Sequence, residues 1–329
     1  MNLNTLINVN KRKFDIKFKK LLKNKLDKSS LSNAIFYGSM NGGKRIRPFL
    51  VMESAKIAKI SSNDAFIIAS CIECIHSYSL IHDDLPSMDD DDYRRGKLST
   101  HKKFNEATAI LAGDALHDLA FELISGNLKN KNNNSRLILI NYLSLCIGHK
   151  GLALGQALDL EFENKKLSKN KILDMYSRKT GKLFEFSFSA PFILKDKSKK
   201  EIQFAKDYGM LFGLIFQVID DLIDEIGTFK KIGKTPGKDI AQGKSTLLEL
   251  IGEKQVTDFC KNEINTFIKN DKIPKIGDIV VTSGTAEIFP VDLLVGKIAK
   301  IEKDRLFSEL FLLVLIHITF FLFPFIFIE

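Results

Sequence analysis

Cysteine is scarce in this sequence, whose 329 residues include only Cys71, Cys74, Cys146 and Cys260. So few thiols exclude a disulfide-rich secreted scaffold and fit a protein of the reducing cytosol. Cys71 and Cys74 form a C-x-x-C pair, but the pair lies within an apolar helical pattern. Two small buried residues one turn apart are therefore favoured over a redox pair.

Two further features are missing. Residues 1–25 are rich in Lys and Asn and contain no apolar stretch of signal-peptide length, which predicts a cytoplasmic protein. The formal net charge is +9, yet the lysines are scattered and form neither an arginine-rich stripe nor a known nucleic-acid-binding motif. A nucleic-acid partner is therefore not expected.

Apolar residues recur at helical spacing through most of the chain. The pattern predicts helices over residues 5–27, 49–60, 64–82, 106–123, 137–147, 171–194 and 204–219. Strand-like runs punctuated by glycine begin only after residue 270. An all-α fold is therefore predicted for residues 1–269.

The most charged stretch runs from His76 to Arg95, where an apolar helix opens into six aspartates followed by two arginines. Carboxylates at this density raise one another's pKa unless a hard cation lies among them, so the pattern favours Mg²⁺. The arginines suit an anion that the same metal could bridge, such as phosphate. Pro86 breaks the helix, and the bend would bring Asp83 and Asp89 onto one metal cluster. The alternative is a solvated acidic loop that caps a helix.

A second apolar helix also runs into aspartates, at Asp220, Asp221 and Asp224. Asp220 and Asp224 are four residues apart and stand on one helix face, near enough to share or flank a metal. Core packing does not explain two apolar helices that each end in an aspartate pair. The two clusters therefore predict a site with two acidic walls.

Basic residues lie where an anion could bind. Lys44 and Arg47 follow a glycine pair at a predicted helix N-terminus, whose free N–H groups and dipole favour an anion. Lys179 lies in an apolar stretch, where its charge either snorkels to the surface or binds an anionic partner. Lys234 and Lys244 belong to a Gly- and Lys-rich segment that could form a lid over phosphate. For these clusters the alternative is a solvated basic turn.

Taken together, the motifs resemble those of the trans-prenyl diphosphate synthases, and among them the bacterial farnesyl type. The resemblance covers about Leu31 to Leu250 and rests on motifs in one order: Gly42–Pro48, Asp83–Asp89, Arg94–Gly96, Gly113–Asp114, Lys179–Gly181, Gln217–Asp224 and Gly243–Thr246. It implies the isoprenoid synthase fold, an all-α bundle of long antiparallel helices around a central cavity, and a homodimer. It also implies the Mg²⁺-dependent condensation of isopentenyl diphosphate with dimethylallyl or geranyl diphosphate to give farnesyl diphosphate.

The resemblance also implies roles for residues of this sequence. It implies Mg²⁺ ions, about three per site, on Asp83, Asp84, Asp89, Asp220, Asp221 and Asp224. The residues that would bind the allylic diphosphate are Arg94, Lys179, Lys234 and Lys244. Those that would bind isopentenyl diphosphate are Lys44, Arg47, His76 and Arg95. The catalytic set would comprise Asp83, Asp84, Asp89, Lys179, Thr180 and Gln217.

Within that catalytic set, Thr180 and Gln217 would steady the allylic cation through their oxygen atoms. Tyr78 and Ser79 are the residues expected to determine the length of the product. Tyr78 lies five residues before Asp83, about one and a half turns below it, where it would block a growing prenyl tail. A C15 product is favoured, with a C20 product, geranylgeranyl diphosphate, as the alternative.

The C-terminal part departs from this pattern. Residues 270–309 form a short β-rich segment that is similar to the β-domain tail of a bacterial rod-shape-determining protein, and residues 310–329 are an apolar tail of borderline length for a membrane span. Three explanations are a membrane-tethered enzyme, a fused or frameshifted tail, and a buried terminal helix, and the second is favoured.

Because the tail is altered, a non-catalytic subunit with this fold is an alternative function. A terpene cyclase is disfavoured by Lys44 and Arg47, which imply a second diphosphate.

Overall fold

The computed structural model describes residues 3–130, 132–226, 243–267, 279–281 and 294–297. The helices in this part are α1 (Leu3–Lys25), α2 (Ser30–Ser39), α3 (Ile46–Ala58), α4 (Ser62–Asp83), α5 (Thr100–Lys103), α6 (Glu106–Glu122), α7 (Asn133–Ile147), α8 (Leu152–Glu161), α9 (Lys169–Tyr176), α10 (Lys182–Leu194), α11 (Lys199–Ile226), α12 (Leu247–Ile251) and α13 (Glu253–Phe267). Two antiparallel strand pairs are β1 (Tyr93–Arg94) with β2 (Lys97–Leu98) and β3 (Ile279–Val281) with β4 (Leu294–Lys297). The all-α fold predicted from helical spacing is confirmed.

The chain divides into two compact units. Ile7–Glu253 forms one unit, while Met1–Leu6 and Lys254–Glu329 form the other. The described part of the second unit includes most of α13 and the pair of β3 and β4, whose register shifts between Val280 and Val281. Apart from these two strands, the predicted β-rich segment 270–309 and the apolar tail 310–329 lie outside the described residues.

Helix α4 lies at the centre of the core of the first unit. Ser61 caps its N-terminus by accepting a hydrogen bond from the Asp64 N–H at 3.0 Å. Ile68, Ile72 and Ile75 are fully buried. The helix is long and apolar enough to cross a membrane, but 72% of its most apolar window is buried inside the protein. It is therefore a core helix rather than a membrane span.

The cysteine pair of α4 is part of this core. Cys71, Cys74, Cys146 and Cys260 are all buried as free thiols. Burial raises the pKa of Cys74 well above its ordinary value, and a thiol that stays protonated is a poor nucleophile. The prediction of two small buried residues, rather than a redox pair, is confirmed.

Helix α3 begins at Ile46, three residues before the predicted start. Pro48 therefore lies inside the first turn, where its missing N–H costs no intrahelical hydrogen bond. The N-cap residue, Arg45, has a left-handed φ of 54°, and its buried guanidinium binds Asp15 at 2.8 Å and Glu73 by a second ion pair. These contacts tie α1 and α4 to the start of α3.

Helices α9 and α10 are joined by a π-helical turn at Ser177–Gly181, a feature common at functional sites. Two glycines allow neighbouring helices to pack directly against this turn. A Cβ on Gly155 of α8 would lie 2.2 Å from the backbone nitrogen of Lys179, and one on Gly213 of α11 would lie 2.6 Å from the Gly181 Cα. The absence of a side chain at Gly155 and Gly213 therefore permits this close contact.

Candidate active site

A cavity of about 350 Å³ lies within the first unit, where the end of α4, helix α8, the π-helical turn, helix α11 and the segment before α12 meet. The described residues that line it are Arg47, His76, Ser79, Leu80, Asp83, Asp89, Asp91, Arg94, Arg95, Leu152, Gln156, Asp159, Met175, Tyr176, Lys179, Thr180, Leu183, Phe216, Gln217, Asp220, Asp221, Lys244, Ser245 and Thr246. Most of the residues predicted from the motifs are in this set.

Asp83 and Asp89 form the first acidic wall. Helix α4 ends at Asp83, and the chain then turns through Pro86 so that the Asp89 N–H donates to the Asp83 carbonyl at 2.8 Å. This backbone hydrogen bond closes the turn and brings both side chains to the cavity. The bend expected from proline is the local reason for their proximity.

The charges of this wall are unequal. Burial and, to a smaller extent, the nearby Asp89 raise the pKa of Asp83 to about 7 against the opposing effect of Lys179. Burial acts on Asp89 in the same direction, but Lys179 and Lys244 outweigh it and lower the pKa of Asp89. Asp89 is therefore ionised at neutral pH, while Asp83 is ionised only in part.

Two lysines bind the carboxylates that line the cavity. The Lys179 ammonium lies 2.6 Å from Asp159, and the Lys244 ammonium lies 3.0 Å from Asp89 and 3.2 Å from Asp159. Burial alone would lower the pKa of Lys179, but Asp159 and the aspartates of the first wall raise it overall. The two ammonium groups therefore balance part of the negative charge of the carboxylates that line the cavity.

Helix α11 forms the second acidic wall. Asp220 and Asp221 line the cavity; Asp220 is exposed, whereas Asp221 is 6% exposed. Asp224 is 2% exposed and is not among the described residues of the lining. Only the first part of the predicted Asp220–Asp224 cluster therefore faces the cavity.

Asp84, predicted to help hold the metal, is turned away from the cavity. Adjacent residues of a helix point about 100° apart, so Asp84 cannot share the direction of Asp83. It is 2% exposed and accepts a hydrogen bond from the Arg94 Nε at 2.8 Å. Arg94 also lies 3.2 Å from Asp91, so this arginine lines the cavity with its charge already matched by two carboxylates.

A basic group made of Arg47, His76 and Arg95 lines another part of the cavity. Burial lowers the pKa of Arg47 to about 10, and its Nε is buried with no hydrogen-bond partner among the described residues. Burial, together with Arg47 and Arg95, lowers the pKa of His76 well below its ordinary value, so the imidazole is neutral. A buried guanidinium nitrogen without a hydrogen-bond partner, beside a second arginine, is the arrangement that an anion would satisfy.

The glycine pair before α3 makes room for Arg95. Gly43 has a φ of 101°, and a Cβ there would lie 2.4 Å from the Arg95 guanidinium carbon. Arg95 also donates to the Gly42 carbonyl at 2.6 Å. A side chain at position 43 would therefore occupy the space that the Arg95 guanidinium fills.

The π-helical turn presents two predicted residues, Lys179 and Thr180, to the cavity. The Thr180 hydroxyl donates to the Gln217 side-chain carbonyl across to α11. Thr180 and Gln217, both predicted from the sequence to stabilise the allylic cation, are therefore in direct contact.

Three other predicted residues are not among those that line the described cavity. Lys44 is exposed and is not part of the described lining. Ser79 lines the cavity, but the Tyr78 ring packs edge-on against His82 of α4 and His117 of α6, with ring centroids 5.5 and 5.4 Å away. Neighbouring helical side chains diverge, so only one of the two faces the cavity. Lys234 lies outside the described residues.

Sequence reasoning missed Gln156, Asp159 and Tyr176 as site residues, although all three line the cavity. Asp159 holds Lys179 and Lys244, and Tyr176 donates a hydrogen bond to Asp221. The one available signal was an aspartate in the apolar α8, three residues after Gln156. Tyr176 had no signal, because an aromatic residue at helical spacing is indistinguishable from core.

The donor set fits Mg²⁺. Its atoms are carboxylate oxygens, the ligands that this hard cation prefers. Asp83 and Asp89 on one wall and Asp220 on the other lie around one cavity, and the raised pKa of Asp83 reflects burial and like charge that a divalent cation would relieve.

Comparisons with known proteins agree with this site. The sequence model of the family described as Polyprenyl synthetase matches residues 28–280. The farnesyl diphosphate synthase of Micrococcus luteus is 41% identical over 254 residues, which cover 77% of this chain and 84% of the relative. That of Escherichia coli is 42% identical over 221 residues, covering 67% and 74%. The structure of a Helicobacter pylori geranyltransferase complexed with magnesium and isoprenyl diphosphate superposes with a TM-score of 0.71 at 33% identity, covering 82% of this chain and 91% of that one. The family predicted from the motifs is confirmed.

Proposed function

The chain belongs to the polyprenyl synthetase family, and from that premise we propose that it is a prenyltransferase that condenses isopentenyl diphosphate with allylic diphosphates to give farnesyl diphosphate. The observation that carries the proposal is one cavity lined by two acidic walls and by a separate basic group. The walls suit the diphosphate of dimethylallyl or geranyl diphosphate, and the basic group suits a second diphosphate.

The acidic walls would hold Mg²⁺ through Asp83, Asp89 and Asp220. Bound there, Mg²⁺ neutralises the allylic diphosphate so that it can depart as an anion. Asp221 was also expected among the ligands, but both of its oxygens accept hydrogen bonds from the protein. The number of ions stays a prediction.

Lys179 and Lys244 would bind the same diphosphate. The Lys179 ammonium now pairs with Asp159, and the Lys244 ammonium pairs with Asp89 and Asp159, so a bound diphosphate with its cations would offer each lysine an alternative anionic partner. Arg94 lines the same region, and Lys234 stays a prediction.

Isopentenyl diphosphate would bind at Arg47, His76 and Arg95. The unsatisfied Nε of Arg47 and the guanidinium of Arg95 donate to its phosphate oxygens, and the neutral His76 donates one N–H. Bound in this way, the substrate would attack the allylic cation with its double bond, and the resulting cation would lose a proton to give the product. Thr180 and Gln217 both line the cavity, where their oxygen atoms would stabilise positive charge.

The test of this function is an assay with purified full-length protein, isopentenyl diphosphate, dimethylallyl diphosphate and Mg²⁺. We expect farnesyl diphosphate as the main product, and none when EDTA replaces the metal. If protein with a helical circular dichroism spectrum and cooperative melting forms no prenyl product, it is a non-catalytic member of the family.

Product length would depend on Tyr78, whose ring fills space between α4 and α6 next to the cavity residue Ser79. The ring packs against His82 and His117. Truncating it in Tyr78→Ala would open that space to a growing tail, so we expect C20 products to exceed C15, measured by chromatography of dephosphorylated prenyl alcohols. His117→Ala is the matched control for loss of packing alone. An unchanged C15 spectrum in Tyr78→Ala would remove Tyr78 from this role.

We also infer a homodimer in the cytoplasm. Large apolar side chains are exposed on two successive helices, with Ile110 and Leu111 on α6 and Leu137, Ile138 and Leu145 on α7. The apolar stretch Asn133–Glu161 is only 33% buried. A second copy of the chain would cover such a surface, and the free cysteines suit a reducing compartment.

Light scattering would decide the oligomeric state. We expect twice the chain mass of 37.2 kDa for the wild type and a shift toward monomer for Leu137→Glu, because a charge at an apolar interface is costly to bury. Ile16→Glu on α1, where the side chain is 72% exposed, is the control. A monomeric wild type at micromolar concentration would contradict the dimer.

A further inference from the structure

Gln217 is held by hydrogen bonds at both ends of its amide group. Its Nε2 donates to the Asp221 Oδ1 at 2.9 Å, one turn further along α11. Its Oε1 accepts from the Thr180 hydroxyl on the π-helical turn. The amide thus lies between a donor on one side and an acceptor on the other.

The chemistry of these partners fixes the orientation of the amide. An ionised carboxylate can only accept hydrogen bonds, so the NH₂ group of Gln217 must face Asp221. The carbonyl oxygen must then face Thr180. With the opposite orientation, the carbonyl would face the carboxylate and repel it.

Asp221 is itself fixed by Tyr176. The Tyr176 hydroxyl donates to the Asp221 Oδ2 and accepts from the Leu247 N–H at 2.9 Å. Asp221 and Tyr176 are 6% and 2% exposed, so both ends of this contact are shielded from water. Two protein donors therefore occupy the two carboxylate oxygens, in contrast with the exposed Asp220 beside it.

We propose that Asp221 and Tyr176 are positioning residues that keep the Gln217 carbonyl, rather than its NH₂ group, directed at the reacting centre. The proposal rests on the proposed function, since it requires a cation in the cavity. A carbonyl oxygen stabilises an allylic cation, whereas an NH₂ group would carry its partial positive charge toward it. Asp221 acts through Gln217 and is not a ligand of Mg²⁺.

A double-mutant cycle tests whether both residues act through Gln217. Asp221→Ala and Tyr176→Phe are each combined with Gln217→Ala, and kcat and KM for isopentenyl diphosphate are measured. We expect each single variant to lower kcat about tenfold to a hundredfold, as for a misplaced catalytic group. The KM should stay within about threefold of the wild-type value, because the basic group is unchanged. In the Gln217→Ala background the same changes should lower kcat by less than about threefold.

Tyr142→Phe is the matched control, because its hydroxyl also donates to a buried carboxylate, that of Glu185, but Tyr142 is not part of the described lining. We expect its kcat to match the wild type. Melting temperatures show whether Asp221→Ala is folded, and Tyr176→Phe, which keeps the ring, tests the proposal independently if it is not.

Metal binding supplies a readout other than activity. Binding of Mn²⁺ in the presence of inorganic pyrophosphate is measured by electron paramagnetic resonance. We expect Asp220→Ala to weaken it at least about tenfold and Asp221→Ala by less than about threefold.

Three outcomes would overturn the proposal. They are full kcat losses that persist in the Gln217→Ala background, Mn²⁺ binding weakened equally by the two aspartate variants, and a Gln217→Ala enzyme as active as the wild type. None of these resembles failure of the proposed function, in which the wild type itself would form no product.

Discussion

Asp83→Asn is expected to lower kcat about a thousandfold and yet to stabilise the metal-free enzyme. The loss of activity follows because asparagine keeps the shape but removes the charge that holds Mg²⁺ at the first acidic wall. The gain in stability follows from the pKa of Asp83, which burial raises to about 7 from an ordinary value of 3.8.

The sign of the pH dependence follows from the same pKa. Between about pH 4 and pH 7 the folded chain keeps a proton on Asp83 that the unfolded chain has lost, so stability falls as pH rises through this range. Above pH 7 the wild type carries the full cost of a buried charge, and Asp83→Asn does not. The melting temperature of the variant in EDTA should exceed that of the wild type by about 3 °C at pH 8, with the difference lost near pH 4.

Calorimetric melting at several pH values and steady-state kinetics would measure both effects. Asp118→Asn is the matched control, because its side chain is 85% exposed on α6 and should change neither quantity. Wild-type kcat in Asp83→Asn, or a lower melting temperature at pH 8, would contradict the expectation.

Gly155→Ala is expected to destabilise the protein by about 2–3 kcal/mol and to lower kcat with it. A Cβ at this position would lie 2.2 Å from the backbone nitrogen of Lys179 and 2.5 Å from its Cα. Backbone atoms cannot rotate away, so α8 must move from the π-helical turn. Because Asp159 is on α8, the displacement would also disturb its contact with the Lys179 ammonium.

Urea denaturation would measure the loss of stability, and Gly126→Ala is the matched control. A Cβ on Gly126 meets no atom within 4 Å, so its unfolding free energy should change by less than about 0.5 kcal/mol. Equal stability of the two variants would show that α8 does not pack against the turn as described.

The sequence alone located several of the longer helices and the acidic or basic residues at their ends. Helical spacing predicted residues 64–82 as a helix, and the structure has Ser62–Asp83. It also predicted residues 204–219, within the observed Lys199–Ile226. These features depend on neighbours within a few turns, which periodicity, prolines and caps report directly.

Only the tertiary structure decided which partner each charged or polar group has. Asp159 meets Lys179 across 20 residues and Tyr176 meets Asp221 across 45, distances over which helical spacing carries no information. The packing of the helices also brings the π-helical turn, with Lys179 and Thr180, to the cavity. Helix geometry alone separates Asp83 from Asp84 and Ser79 from Tyr78, but the packing decides which member of each pair faces the cavity. Local periodicity determines where a helix lies, whereas the packing of neighbouring helices determines how a side chain is oriented within the site.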